Sequence, residues 1–85
     1  MKLVIDKSAQ QRLRAMPAKV GTAMLERLKA IAAQPFAGHP NVKPLRGEPN
    51  VFRLRQGDWR ALYRVDRATQ EVKVYVVETR ARAYR

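Results

Sequence analysis

The apolar positions of this chain change their spacing twice, and each change marks a new kind of element. Lys2-Leu3-Val4-Ile5 reads as a short first strand. Ala9, Leu13 and Met16 then fall at helical spacing behind Asp6 and Ser8, either of which suits an N-cap; Ser8 with Gln11 also has capping-box spacing. Pro17 has no amide donor, so it belongs at the first turn of a second helix and not inside a continuous one. Val20, Met24, Leu28, Ile31 and Ala32 give that helix an apolar stripe, which predicts a face laid on a core. Gly21 weakens the helix, and the sequence offers no reason for it.

Pro35, Gly38, Pro40 and Pro44 predict a loop. From Val51 the period becomes two, and Val51 to Gln56, Trp59 to Val65 and Val72 to Val77 read as three strands. Gly57-Asp58 separates the first two, with Gly where a type II′ hairpin turn requires it. The Asp66 to Glu71 connection is longer but still suits antiparallel neighbours. The expectation is a single α+β domain over residues 1–85: an N-terminal strand, a helical hairpin, then a three-stranded antiparallel meander, with the helices on one face of the sheet.

The turn also fixes which side chains share a face. With Gly57 and Asp58 at the bend, Gln56 pairs with Trp59, Arg55 with Arg60, Leu54 with Ala61, Arg53 with Leu62 and Phe52 with Tyr63. Alternation then puts Phe52, Leu54, Trp59, Ala61, Tyr63 and Val65 on one side, where Val72, Val74 and Val76 can join them. The other side receives Arg53, Arg55, Arg60 and Arg64, with Lys73 beside Arg64. Like charges directly opposite one another cost stability, so gathering them suits an anionic ligand docking on that face. Long arginines splayed into water, their stems covering apolar surface, would give the same pattern.

Charge extends this picture to the whole chain. The 18 Lys and Arg against 7 Asp and Glu leave +11, and 12 of the cations are Arg, whose planar fork suits phosphate. Nucleic acid and an acidic protein would both satisfy such a field, and Arg-rich codon usage would produce it without a ligand. The 46% hydrophobic content is too high for a disordered chain. With no cysteine, thiolate metal sites and disulfides are excluded, and no apolar run approaches a membrane span or a signal-peptide core. A cytoplasmic location is the simplest expectation.

Other chemistry is sparse. His39, the only histidine, sits in the Pro/Gly loop and reads as a loop residue. Glu48, in a Gly-Glu-Pro turn, reads the same way, and Asp58 as a turn residue. No cluster has metal-ligand spacing and the four glycines are too scattered for a phosphate loop, so neither metal nor cofactor is expected.

Lys43-Pro-Leu-Arg-Gly-Glu-Pro-Asn-Val-Phe-Arg-Leu-Arg, followed by Gly57-Asp-Trp-Arg-Ala-Leu-Tyr-Arg-Val and a closing Arg80 to Tyr84, resembles the RelE/ParE toxin superfamily. The family pattern is K-x-L-x-G, a strand ending like Y-R-I-R, a G-D-Y-R turn and a final R-x-x-x-Y. The order of elements extends the likeness over essentially the whole chain.

The resemblance implies a type II toxin–antitoxin toxin that cuts mRNA in the ribosomal A site, without metal or cofactor. The ribose 2′-OH would attack the adjacent phosphate and leave a 2′,3′-cyclic phosphate and a 5′-OH. The family's catalytic positions map onto Arg53, Arg55, Arg60, Arg80 and Tyr84. Arg53, Arg55 and Arg60 would hold the phosphate, Arg80 would assist the leaving oxygen and Tyr84 would stack on a base. Lys43, Arg46, Arg64, Lys73 and Arg82 become candidates for further RNA contact. Unbroken alternation from Val76 would turn Arg80 to the core side, which predicts a bend near Glu78 or Thr79.

The implied partners are a cognate acidic antitoxin, forming a toxin–antitoxin hetero-oligomer, and ribosome-bound mRNA with contacts to 16S rRNA; no membrane partner is expected. Two departures stand out. Arg53 and Arg55 occupy positions where relatives carry lysines, and Thr79 stands where several carry histidine, so no residue is assigned to proton abstraction. The alternatives are a ParE-like inhibitor of DNA gyrase with the same fold and a non-catalytic basic RNA-binding module.

Overall fold

A computed structural model describes residues 1–79; Arg80, Arg82 and Tyr84, named above as candidates, lie outside the described residues. The chain runs β1 (Lys2–Ile5), α1 (Lys7–Ala15), α2 (Ala18–Ala33), β2 (Val42–Pro44), β3 (Val51–Gln56), β4 (Trp59–Asp66) and β5 (Glu71–Thr79). The strands form one sheet in the order β1-β5-β4-β3-β2, with β1 parallel to β5 and the β2-to-β5 pairs antiparallel. The expected order of elements is present. The meander is widened by a strand on each edge.

β2 corrects the reading of that stretch as loop. Three residues that end in a proline and follow Pro40 carry no periodic signal, yet Val42, Lys43 and Pro44 pair with Leu54, Arg53 and Phe52. A proline is tolerated there because an edge strand leaves one side without a ladder partner. Asn41 and Asn50, both at positive φ, flank the region and accept bonds from Arg55 N–H (3.0 Å) and Val65 N–H (2.8 Å) through their carbonyls.

The helices start as their sequences dictate, with one change. Asp6 is the N-cap of α1 and its Oδ1 accepts the Ala9 amide at 2.8 Å, while Ser8 donates to the same carboxylate instead of capping with Gln11. The α2 stripe of Met24, Leu28, Ile31 and Ala32 is buried, with Val20 packed at its margin. Gly21 now has a reason: a Cβ there would sit 3.1 Å from the Leu13 carbonyl oxygen and 3.6 Å from Met16 Cβ, so its absence lets α2 approach the end of α1.

The core lies between the helices and one face of the sheet. Leu54, Ala61, Tyr63, Val65, Val72, Val74 and Val77 are buried there, and Phe52 and Trp59 pack against them. Phe52 and Tyr63 are stacked with ring centroids 5.4 Å apart. Val77 takes the place expected for Val76 because of a β-bulge. Leu62 pairs with Val76 but Tyr63 pairs with Val74, leaving Tyr75 as an extra residue. The change of phase expected near Glu78 or Thr79 therefore occurs earlier, at Tyr75. No helix among the described residues is long and apolar enough to cross a membrane.

Candidate nucleic-acid interface on the open sheet face

The β3–β4 hairpin has the register that its turn implies. Gln56 pairs with Trp59, Arg55 with Arg60, Leu54 with Ala61, Arg53 with Leu62 and Phe52 with Tyr63. Gly57 has φ of +59° and Asp58 has no positive φ, as a two-residue turn of the II′ kind requires. Once this turn is closed, the alternation of β3 and β4 is set, and the side chains away from the helices are those that were not selected for the core.

Across that outer face the registers align side chains in rows. One row runs Arg55, Arg60, Glu78; the next runs Lys43, Arg53, Leu62, Val76; a third runs Val51, Arg64, Lys73. Leu62 and Val76 make a half-buried apolar floor between the cationic rows, and Val51 is buried on the same side outside the main core cluster. Lys43, Arg55 and Arg64 are exposed and Arg53 is half-buried. Arg53, Arg55 and Arg64 form no ion pair with any described residue. Arg60 differs from them, with only 7% of its surface exposed. A guanidinium held so deeply is a fixed charge in the floor of the face, not a side chain that sweeps through solvent.

The remaining candidates are less central. Lys73 lies on the same face, but its Nζ is 3.3 Å from Asp66 Oδ2 and 3.7 Å from Glu71 Oε1. Asp66 is held below the usual carboxylate range, first by the Thr69 amide that it accepts and then by Lys73. Arg46 is exposed in the turn between β2 and β3. His39 sits beside its own loop, with Nε2 2.8 Å from the Gln34 carbonyl oxygen, and Glu48 is an exposed turn residue whose backbone bonds Leu45 and Val51. Neither lies in a cationic row, although Glu48 lines a hollow that Arg64 and Arg67 also line.

Two cations are occupied in holding the fold. Arg27 reaches from α2 to Gln56 Oε1 (3.2 Å) and to the Pro40 carbonyl, and Arg67 covers the Phe36 ring at 4.3 Å. Sequence reasoning missed Tyr75, which lies beside Arg64 and Lys73 around a cavity of about 210 Å3. Its only prior signal was an aromatic residue inside a run of valines, and alternation alone did not show that a bulge would set it apart.

A helix pair on one side of a five-stranded sheet is the RelE-like fold, and in this chain arginines gather on the other side. A sequence profile described as the ParE toxin of type II toxin-antitoxin system, parDE, matches residues 3–84, and the chain belongs to that family. Among solved structures, the chain is similar to the RelBE2 toxin–antitoxin complex from Mycobacterium tuberculosis at 26% identity. That match has a TM-score of 0.74 and covers 92% of this chain and 95% of that one. It is also similar to the isolated RelE toxin of E. coli at 25% identity, with a TM-score of 0.77 and coverage of 92% and 82%. The toxin of the archaeal RelE-RelB complex from Pyrococcus horikoshii shares the fold at 24% identity, with a TM-score of 0.80 and coverage of 95% and 96%. A search of curated protein sequences returns no match. The protein is a toxin of a type II toxin–antitoxin system with the RelE/ParE fold.

Proposed function

We propose that this toxin binds message on the ribosome with its open sheet face and cleaves it by attack of a ribose 2′-OH on the adjacent phosphate. The observation that carries the reading is the outward-facing set of Arg53, Arg55 and Arg64 around the buried Arg60; unlike Lys73, the three arginines Arg53, Arg55 and Arg64 form no ion pair with a described carboxylate. Guanidinium groups preplaced on a rigid sheet stabilise the charge that grows on a phosphate during transesterification. Arginine is a poor proton acceptor, so the ribosome must supply geometry or proton transfer, and cleavage is strictly ribosome-dependent. Arg80 and Tyr84 complete the proposed set from the end of the chain, assisting the leaving oxygen and stacking on a base.

An acidic antitoxin is the partner this reading requires, and the related structures in which RelE toxins are complexed with RelB support it. A segment that folds on docking wraps a large surface and is removed by proteolysis, which makes inhibition reversible.

The decisive assay adds purified toxin to a translating extract and maps message ends. The expected result is cuts inside ribosome-occupied codons, bearing 2′,3′-cyclic phosphates and lost in Arg55→Glu, an exposed position whose change leaves the fold intact. The match to the ParE toxin family favours a second reading, inhibition of DNA gyrase. Trapped gyrase cleavage complexes with message intact would establish that reading and overturn the first.

A further inference from the structure

Three surfaces stand apart from the Arg53–Arg55–Arg60 rows. The groove beside Leu13, Met16, Gly21 and Leu25 is apolar, and nothing in the structure shows what covers it. The hollow between the β2–β3 turn and the end of β4 sets Glu48 and Asp66 beside Arg64 and Arg67, a mixed lining that singles out no ligand charge. The third is the cavity of about 210 Å3 lined by Arg64, Lys73 and Tyr75 on the open sheet face.

We propose that this third cavity is a nucleotide subsite, in which one unpaired RNA base stacks on Tyr75 while its phosphate engages Arg64. The inference rests on the reading of the sheet face as an RNA surface and extends it to a residue outside the catalytic set. The bulge leaves Tyr75 without a cross-strand partner and stands its side chain among cations, while the aromatics that fill the fold, Phe52 and Tyr63, stack on the opposite side of the sheet. Asp66 and Glu71 hold Lys73 at 3.3 and 3.7 Å, so it walls the cavity as a positioned, largely neutralised side chain. Arg64 is exposed and has no such tie. An aromatic plane beside one available guanidinium matches a nucleotide's π-face and phosphate, and it does so without reading sequence. Arg60 and Arg64 are four residues apart on β4, about 13 Å along the strand. A single RNA strand lying along the hairpin therefore reaches both places.

The test titrates purified toxin into short single-stranded RNAs carrying one 2-aminopurine, whose fluorescence falls on stacking, at several salt concentrations. Wild type is expected to bind and quench, and Tyr75→Phe to behave alike. Tyr75→Leu keeps apolar bulk without a π-face, and should bind roughly tenfold more weakly, with the quench lost and the salt slope unchanged. Arg64→Gln should lower the salt slope by about 0.7. Thermal melts accompany each variant, and Tyr75→Ala is a second probe wherever it melts as wild type does. Equal binding and quenching by Tyr75→Leu, with binding still lowered by Arg55→Glu, would overturn the subsite and leave the RNA face standing. No binding by wild type would overturn both. Loss of antitoxin binding by Tyr75→Leu with RNA binding intact would assign the cavity to an acidic peptide and overturn the subsite.

Discussion

Replacing Gly57 by alanine isolates the turn that sorts the two faces of the sheet. Gly57 has φ of +59°, and a Cβ built there meets no atom within 4 Å. The added methyl therefore causes no clash, and its whole cost is backbone strain, about 1–2 kcal/mol for an L-residue held at left-handed φ. A domain of this size has roughly 4–13 kcal/mol of stability, so the loss is a sizeable share. Each kcal/mol lowers the melting temperature of such a domain by about 4–8 °C, which predicts a fall of roughly 4–16 °C. Gly38→Ala is the matched control, since Gly38 also has open space around it but no positive φ, and it should melt at or slightly above wild type. D-alanine at position 57 in a chemically synthesised chain suits positive φ and should restore the wild-type melt. Circular dichroism melts of the four proteins decide the matter. If Gly57→Ala melts with Gly38→Ala, the turn is not strained as described, and the register has another origin.

Asp6→Ala removes the side-chain acceptor of the Ala9 amide and should cost about 1 kcal/mol, read by urea unfolding, with Asp6→Asn retaining most of it. Tyr63 has its pKa pushed from 10.0 to about 12 by burial, so the folded state disfavours its ionised form. The associated stability is present below pH 10 and lost as pH rises from 10 towards 12, by at most about 2–3 kcal/mol; unfolding of wild type compared with Tyr63→Phe on both sides of that window isolates it from lysine titration. Leu54, fully buried at the middle of β3, should lose about 2–5 kcal/mol as Leu54→Ala, whereas exposed Arg55→Glu should leave the melt unchanged and abolish message cleavage.

What was legible in the sequence followed from short-range rules. The turn at Gly57-Asp58 fixed the pairs of β3 and β4 residue by residue, and helical spacing picked out Met24, Leu28, Ile31 and Ala32. Features set by non-local contact were hidden. Val42–Pro44 becomes a strand because β3 offers an unpaired edge, not because a three-residue run ending in proline prefers to be extended. The bulge at Tyr75 satisfies the pairing of β4 with β5 on both sides of it, and no property of the Val-Lys-Val-Tyr-Val-Val run announces where the phase will change. For Gly21 the explanation lies in Leu13 and Met16, brought close only after the two helices meet. The cationic face was visible as a pattern, but the burial of Arg60 and the pairing of Lys73 with Asp66 and Glu71 divide those cations into fixed, tied and available ones.

On the proposed reading, RNA lies on the sheet face turned away from the helices. Side-chain resonances of isotopically labelled toxin, followed during titration with a short single-stranded RNA, test this directly. Leu62 and Val76 stand on the open face, while Leu54 and Val77, one row over and paired through Ala61, stand on the core side of the sheet. On that reading the Leu62 and Val76 methyls and the Arg55 and Arg64 guanidinium signals are expected to shift, while the Leu54 and Val77 methyls stay in place. Shifts confined to α1, α2 or the core methyls, with Leu62 and Val76 silent, would contradict it.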